Sequence, residues 1–168
     1  MYAIPLLPSF VLRITKPKRT RLHRQKLQIR AMRAVVQRVT SASVEADGRI
    51  VSEIGPGLLV LVGLHESDTD SDADYICRKV LNMRLFPNEN TGKGWDFNVM
   101  QKNYEVLLKA RPFYDSLVEK FRKTYNVDAV KDGVFGAMMK VNLVNDGPVT
   151  MQLDSSLSSK NRNEAEGE

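Results

Sequence analysis

Seven consecutive residues, Leu58-Leu-Val-Leu-Val-Gly-Leu64, carry no polar side chain and follow the stop signal Gly55-Pro56-Gly57. The run is too short for a typical helix and is rich in β formers. It therefore predicts a central strand buried on both faces. Just upstream the pattern has period two: Arg33-Ala-Val-Val-Gln-Arg-Val-Thr40 and Ala42-Ser-Val-Glu-Ala46 read as strand, Asp47-Gly48 is a hairpin signal, and Arg49-Ile-Val-Ser-Glu-Ile54 returns. Three strands within about thirty residues make a sheet.

Helical spacing follows. Asp68, Asp70, Asp72 and Asp74 crowd a helix N-terminus, where the macrodipole favours them, and Ile76, Val80 and Met83 line one face. Residues 87–94 read as a loop, with Trp95 and Phe97 pinning it to the core or lining a pocket. Tyr104-Glu-Val-Leu-Leu108 is a short strand. A second helix opens at Pro112, a good first helical residue, and Phe113, Leu117, Phe121 and Tyr125 recur every four residues beside Val118. Its Lys120, Arg122 and Lys123 form a solvated face. Lys131-Asp132-Gly133 is a turn, residues 134–144 a long strand, Asn145-Asp-Gly-Pro148 an interruption, and Val149-Thr-Met-Gln-Leu153 a last strand. The fold class is mixed α/β.

Charge divides the chain. Residues 1–31 hold eight of the 25 Lys and Arg and no acid, leaving 17 basic against all 20 acidic side chains, so the net +5 hides a body of −3. Any contact of that body with RNA must be local and geometric, not a broad grip on phosphates. The basic extension, residues 1–31, resembles a transit peptide, with a disordered tail or untranslated sequence as the alternative. Residues 32–153 form the domain, and residues 154–168 are a polar, acidic tail expected to be disordered. No apolar run approaches the roughly 20 residues of a spanning helix, so no membrane partner is expected.

The inventory of reactive side chains is short. One cysteine, Cys77, and two histidines, His23 and His65, allow no disulfide framework and no Cys/His zinc site, and they point to a reducing compartment. Cys77 reads as a small buried hydrophobe. Neither a phosphate-cradling glycine loop nor GxSxG occurs. Asp70, Asp72 and Asp74 alternate like calcium ligands, but the glycine and terminal glutamate of an EF-hand are missing. The feature left to explain is Asn145-Asp146-Gly147-Pro148-Val149-Thr150. Gly-Pro between strands removes a ladder donor, and from the dipeptide alone an ordinary turn suffices. A cis bond there could align neighbouring carbonyl oxygens, which would hold an ammonium group while rigid backbone excludes one enantiomer's side chain.

The opening MRAVVQRVTSASV, the run GPGLLVLVGL and the segment KDGVFGAMMKVNLVNDGPVT, in this order over residues 32–153, resemble the D-aminoacyl-tRNA deacylase family, also called D-tyrosyl-tRNA deacylases. The resemblance implies a small β-barrel-like sheet domain with two packed helices, a homodimer, and hydrolysis of the ester linking a D-amino acid to the tRNA 3′-terminal adenosine. It implies that Gly147 and Pro148, as a Gly-cis-Pro pair, enter the partner's site, select chirality with the flanking Val149 and Thr150, and are held by Arg38. Phe135, Gly136, Ala137 and Met139 are implied to lie near the adenosine. Neither cofactor nor metal nor DNA is expected. Glycyl-tRNA is the expected leak, since glycine has no side chain to exclude. The chain departs from the family where Leu108 runs straight into Lys109-Ala-Arg111: the family's Ser-Gln-x-Thr segment is absent, and no catalytic residue is carried over. The alternative expectation is a catalytically silent short form that dimerises or binds the tRNA 3′ end. The expected location is the cytoplasm, or a plastid or mitochondrion if residues 1–31 act as a transit peptide.

Overall fold

A computed structural model describes residues 31–110, 114–134 and 136–156, without the side chains of Ala110, Tyr114 and Pro148. The basic extension through residue 30, Pro112, Phe113, Phe135 and the tail from residue 157 lie outside the described residues. Eight strands and two helices occur in the order β1 (Arg33–Ala46), β2 (Arg49–Ile54), β3 (Gly57–Gly63), α1 (Asp70–Asn82), β4 (Phe86–Asn88), β5 (Lys93–Phe97), β6 (Glu105–Ala110), α2 (Tyr114–Thr124), β7 (Val130–Asp132) and β8 (Met139–Asp154).

β1 is the spine. It runs unbroken from Arg33 to Ala46, joining the two strand-like segments across Ser41. Along one edge it pairs antiparallel with β3 over Arg33 to Val39 and with β2 over Ala42 to Ala46. Along the other edge it pairs antiparallel with β8. β6 then joins β3 in parallel, and β7 joins β6 in parallel, so the main sheet is mixed and curls toward a barrel. The turn between β1 and β2 has Asp47 at φ 50° and Gly48 at φ 76°, the left-handed pair a two-residue hairpin needs.

β3 is buried on both faces from Leu58 to Val60, as its sequence predicts, but Leu61 is 38% exposed and Gly63 is exposed, so the second half is covered on one face only. Leu58, Val60 and Val62 face the helices, and Leu59 faces away into a smaller core with Val39, Ala42, Val44, Ile54 and Leu107. Helix α1 supplies Ala73, Ile76, Cys77, Val80 and Leu81 to the larger core, and α2 supplies Leu117, Val118 and Phe121. Met83, expected on the α1 stripe, is instead the residue that ends the helix and is half-buried. Thr69 opens α1 by donating its amide and its hydroxyl to Asp72, three residues on. Cys77 is buried, and burial pushes its thiol up, as befits a packing residue.

Four expectations need correction. Residues 86–97 form a two-stranded hairpin, β4 with β5, and Trp95 projects from it with 58% exposure, so the indole pins nothing to the core. Phe97 does pack there. Val130, Lys131 and Asp132 are strand because parallel pairing with β6 overrides the turn propensity of Asp132-Gly133. β8 starts only at Met139, yet it continues through Asn145 to Pro148 without ending, since β1 offers partners on both sides of that stretch. The fold also runs past the expected boundary at residue 154. Ser155 is buried, its amide donates to the Met32 carbonyl, and its hydroxyl accepts from the Met32 amide.

That closure carries charge. Ser156 donates to the Asp154 carboxylate, Arg33 bonds its other oxygen at 3.0 Å, and together they hold Asp154 below the usual carboxylate range. Asp72 is lowered too: burial raises its carboxyl, but hydrogen bonds from Ser155, Thr69 and the helix backbone outweigh it. A group with a lowered folded-state pKa stabilises above its unfolded value, near 3.9 for Asp, and the contribution disappears as pH falls through the folded value. Asp154→Asn should therefore flatten the acid limb of the stability curve below about pH 4, checked by urea midpoints against pH. Gly57 gives a second expectation. A Cβ there would meet the Glu105 carbonyl oxygen at 2.0 Å, where β3 pairs with the start of β6. Gly57→Ala should cost about 3 kcal/mol or more in the same assay.

Candidate functional site

The pairing of β1 with β8 fixes Gln37 against Thr150 and Val39 against Asn145. Between those pairs β1 has one residue, Arg38, and β8 has four: Asp146, Gly147, Pro148 and Val149. The surplus must leave the ladder, so this stretch is a wide bulge. Gly147 takes φ 63°, a conformation that favours a residue without Cβ, and it is exposed. Val149 turns back and packs against the larger core, while Thr150 is exposed. No peptide bond among the described residues is cis, so the cis geometry expected at Gly147-Pro148 is not found among them. The change of direction is made by Gly147 and by the mismatch in strand length.

Arg38 fills the mouth of the bulge. It shares parity with Ala34 and Val36, so its side chain heads for the edge of the larger core, and it is only 12% exposed. Its Nε donates to the Asp146 carbonyl at 3.0 Å and lies 3.0 Å from the Asp146 carboxylate. Its Nη1 donates to the Leu85 carbonyl at 2.5 Å. Its Nη2 stands 3.5 Å from where a Cβ on Gly147 would be. A planar guanidinium can serve these divergent acceptors at once, which an ammonium cannot. On either side, Gln37 donates to the Asn145 side chain and Thr40 to the Val144 carbonyl. The bulge is thus fastened at its base and bare at its tip.

The other expected residues lie elsewhere. Gly136 is exposed at φ 77°, Ala137 closes a turn onto Val134, and Met139 begins β8 opposite Ala46 and packs against the smaller core. Asn145 lies six residue steps along β8 from Met139, about 20 Å of strand. Within one chain the two groups are not brought together. Phe135 and the Pro148 ring lie outside the described residues. Leu85 had no signal in the sequence, since it acts through its carbonyl. Asp146 did have one, a carboxylate next to Gly-Pro and eligible to pair with Arg38. Among the described residues no group of three or more His, Cys, Asp or Glu side chains could hold a metal.

The family described as D-Tyr-tRNA(Tyr) deacylase matches the chain over residues 35–109 and again over 108–154. The D-aminoacyl-tRNA deacylase of Dictyostelium discoideum is 43% identical over 148 residues, covering 74% of this chain and 98% of its own length. D-aminoacyl-tRNA deacylase 1 of Homo sapiens is 42% identical over 148 residues, covering 74% and 70%. Among solved structures, a c-Myc DNA unwinding element binding protein superposes with TM-score 0.69 at 41% identity, covering 72% of this chain and 97% of its own. A probable eukaryotic D-amino acid tRNA deacylase shares the fold at TM-score 0.60 and 14% identity, covering 74% and 99%. Since 74% of 168 residues is about 124, roughly two dozen of the 148 aligned positions face no residue here. The two family segments meet at Leu108 and Lys109, the joint where the sequence departs from the family pattern.

Replacing Arg38 tests the clamp. Arg38→Ala strands the Asp146 and Leu85 carbonyls and should cost about 2 kcal/mol or more, and Arg38→Lys should recover less than half of it. Urea midpoints give the cost. Faster amide hydrogen exchange at Gly147 would locate it.

Proposed function

Because this chain belongs to the D-Tyr-tRNA(Tyr) deacylase family, we propose that it hydrolyses the ester of D-aminoacyl-tRNA, releasing the free D-amino acid and tRNA. The observation that carries the reading is the bulge of Asp146, Gly147, Pro148 and Val149, a family segment held at its base by Arg38 and bare at Gly147. In this reading the substrate α-ammonium meets the Gly147 carbonyl oxygen at the tip of the bulge, with no cis bond among the described residues to align a second carbonyl beside it. The stiff main chain there leaves room for hydrogen at Cα and none for an L-side chain. A D-side chain points away, so many are accepted, and glycyl-tRNA is accepted as well.

The reaction needs little from side chains. Water adds to the ester carbonyl, the C–O bond to the ribose breaks, and the ribose oxygen leaves with a proton. An aminoacyl ester is already an activated acyl group, so positioning and amide donors around the developing oxyanion supply much of the acceleration. The ribose hydroxyl of the RNA assists the proton transfer, which fits a chain short of side-chain bases. Limited contact with a single-stranded 3′ end also fits a body of net charge −3.

The working unit in this proposal is a homodimer. Gly136, Ala137 and Met139, with Phe135, contact the terminal adenosine, and Met139 sits about 20 Å of strand away from the bulge of the same chain. A second copy can bring its own bulge to that pocket, so each site takes its adenosine contacts from one protomer and its chiral element from the other.

Purified chain given D-tyrosyl-tRNA and L-tyrosyl-tRNA should turn over only the D-ester, read as loss of acid-precipitable amino acid. Pro148→Ala should raise hydrolysis of the L-ester while the D-ester is still cleaved. Equal rates on both esters with the unaltered chain, or unchanged discrimination in Pro148→Ala, would remove the assigned role.

A further inference from the structure

Trp95 is the chain's only tryptophan, and it is 58% exposed although tryptophan is usually well buried. It lies on β5 between Lys93 and Phe97, where three residues of β5 stand opposite one of β4 and the register shifts. Beyond Phe97 lies the Lys102 ammonium, 5.7 Å from the Phe97 ring centre and 5.5 Å from that of Tyr104. Tyr104 meets Phe86 edge to face at 5.1 Å. The strip therefore alternates rings and cations: an exposed Lys93, a bare indole, and an ammonium shared by two half-buried rings.

Its position is tied to the bulge. β4 begins at Phe86, one residue after the carbonyl that anchors Arg38, and Phe86 pairs with Phe97. Trp95 lies two residues further along β5, about 7 Å from that pair. The hairpin thus leads away from the Arg38 anchorage with Trp95 partway along it.

We propose that this strip is a stacking platform for the unpaired RNA bases that precede the 3′-terminal adenosine, with Trp95 stacking a base and Lys93 and Lys102 meeting phosphates. The proposal rests on the tRNA reading above and extends the site beyond the terminal nucleotide. Ring and charge argue for RNA over a protein partner. The exposed large hydrophobics in the described residues include none other than Trp95 from the hairpin, whereas a stable protein contact needs a contiguous apolar patch. An isolated indole flanked by cations suits a base with its phosphates, since every base offers a π-face and one such stack lowers Kd severalfold or more.

A single tryptophan makes the test direct. The full chain is titrated with the uncharged RNA tetranucleotide ACCA while indole emission is recorded, so the result does not depend on ester hydrolysis. Saturable quenching is expected. Anisotropy of the same RNA carrying a dye should show Trp95→Ala binding about fivefold or more weakly, with Trp95→Phe recovering most of the loss. Lys102→Gln should flatten the salt dependence. Emission unchanged by RNA, or wild-type affinity in Trp95→Ala, overturns the platform. So does a blue shift that follows protein concentration alone, which would assign the indole to contact between copies of this chain. Quenching together with no turnover of D-tyrosyl-tRNA would keep the platform and remove the hydrolytic reading instead.

Discussion

Every strand of the larger sheet is placed, directly or through one neighbour or two, by hydrogen bonds to β1. Its two edges have different tasks. One divides between β3 and β2, which bends the sheet and creates the smaller core behind it. The other runs the length of β8, and there the two strands disagree in length by three residues opposite Arg38. A ladder cannot absorb such an excess, so it is expelled as a bulge whose position is set by good pairing on both sides. The candidate site is a consequence of register, and the residue that turns its main chain is the glycine that the geometry requires.

The clamp on that bulge also explains how a small chain with a single cysteine can fasten its backbone without an internal disulfide. Arg38 lies at the border of the larger core, where its guanidinium is mostly withdrawn from water but still surrounded by acceptors. Two of those acceptors are main-chain carbonyls from distant parts of the sequence. Charge-assisted bonds of this kind are stronger than neutral ones, and their loss leaves buried oxygens unpaired. The Asp146 carboxylate is more exposed and adds direction more than strength.

The sequence was informative where periodicity is strong. The run from Leu58 to Leu64 and the Asp47-Gly48 turn announced β3 and the first hairpin, and the fourfold spacing of Leu117, Phe121 and Tyr125 announced α2. It failed where pairing partners decide the outcome. Asp132-Gly133 carries turn chemistry, yet Asp132 is strand because β6 stands beside it. Gly147-Pro148 does break the ladder, as it looked, yet β8 resumes its pairing beyond it because β1 offers partners on both sides of the gap. Trp95 was misplaced because hydrophobicity alone cannot say which face of a two-stranded hairpin is covered. Of the candidate site, the Gly-Pro pair stood out in the residues themselves, Arg38 and the roles of both came from resemblance to a family, and the Leu85 carbonyl had no side-chain signature.

The reciprocal bonds between Met32 and Ser155 bring the two ends of the folded body to a single point. In connectivity the domain is therefore nearly a ring. A short linker could close it there, and the chain could be reopened at the Asp47-Gly48 turn without crossing the Arg38 anchorage or severing β1 from β8. A circular permutant of that design would fold around the same spine with β1 moved from the start of synthesis to its end and β2 emerging first.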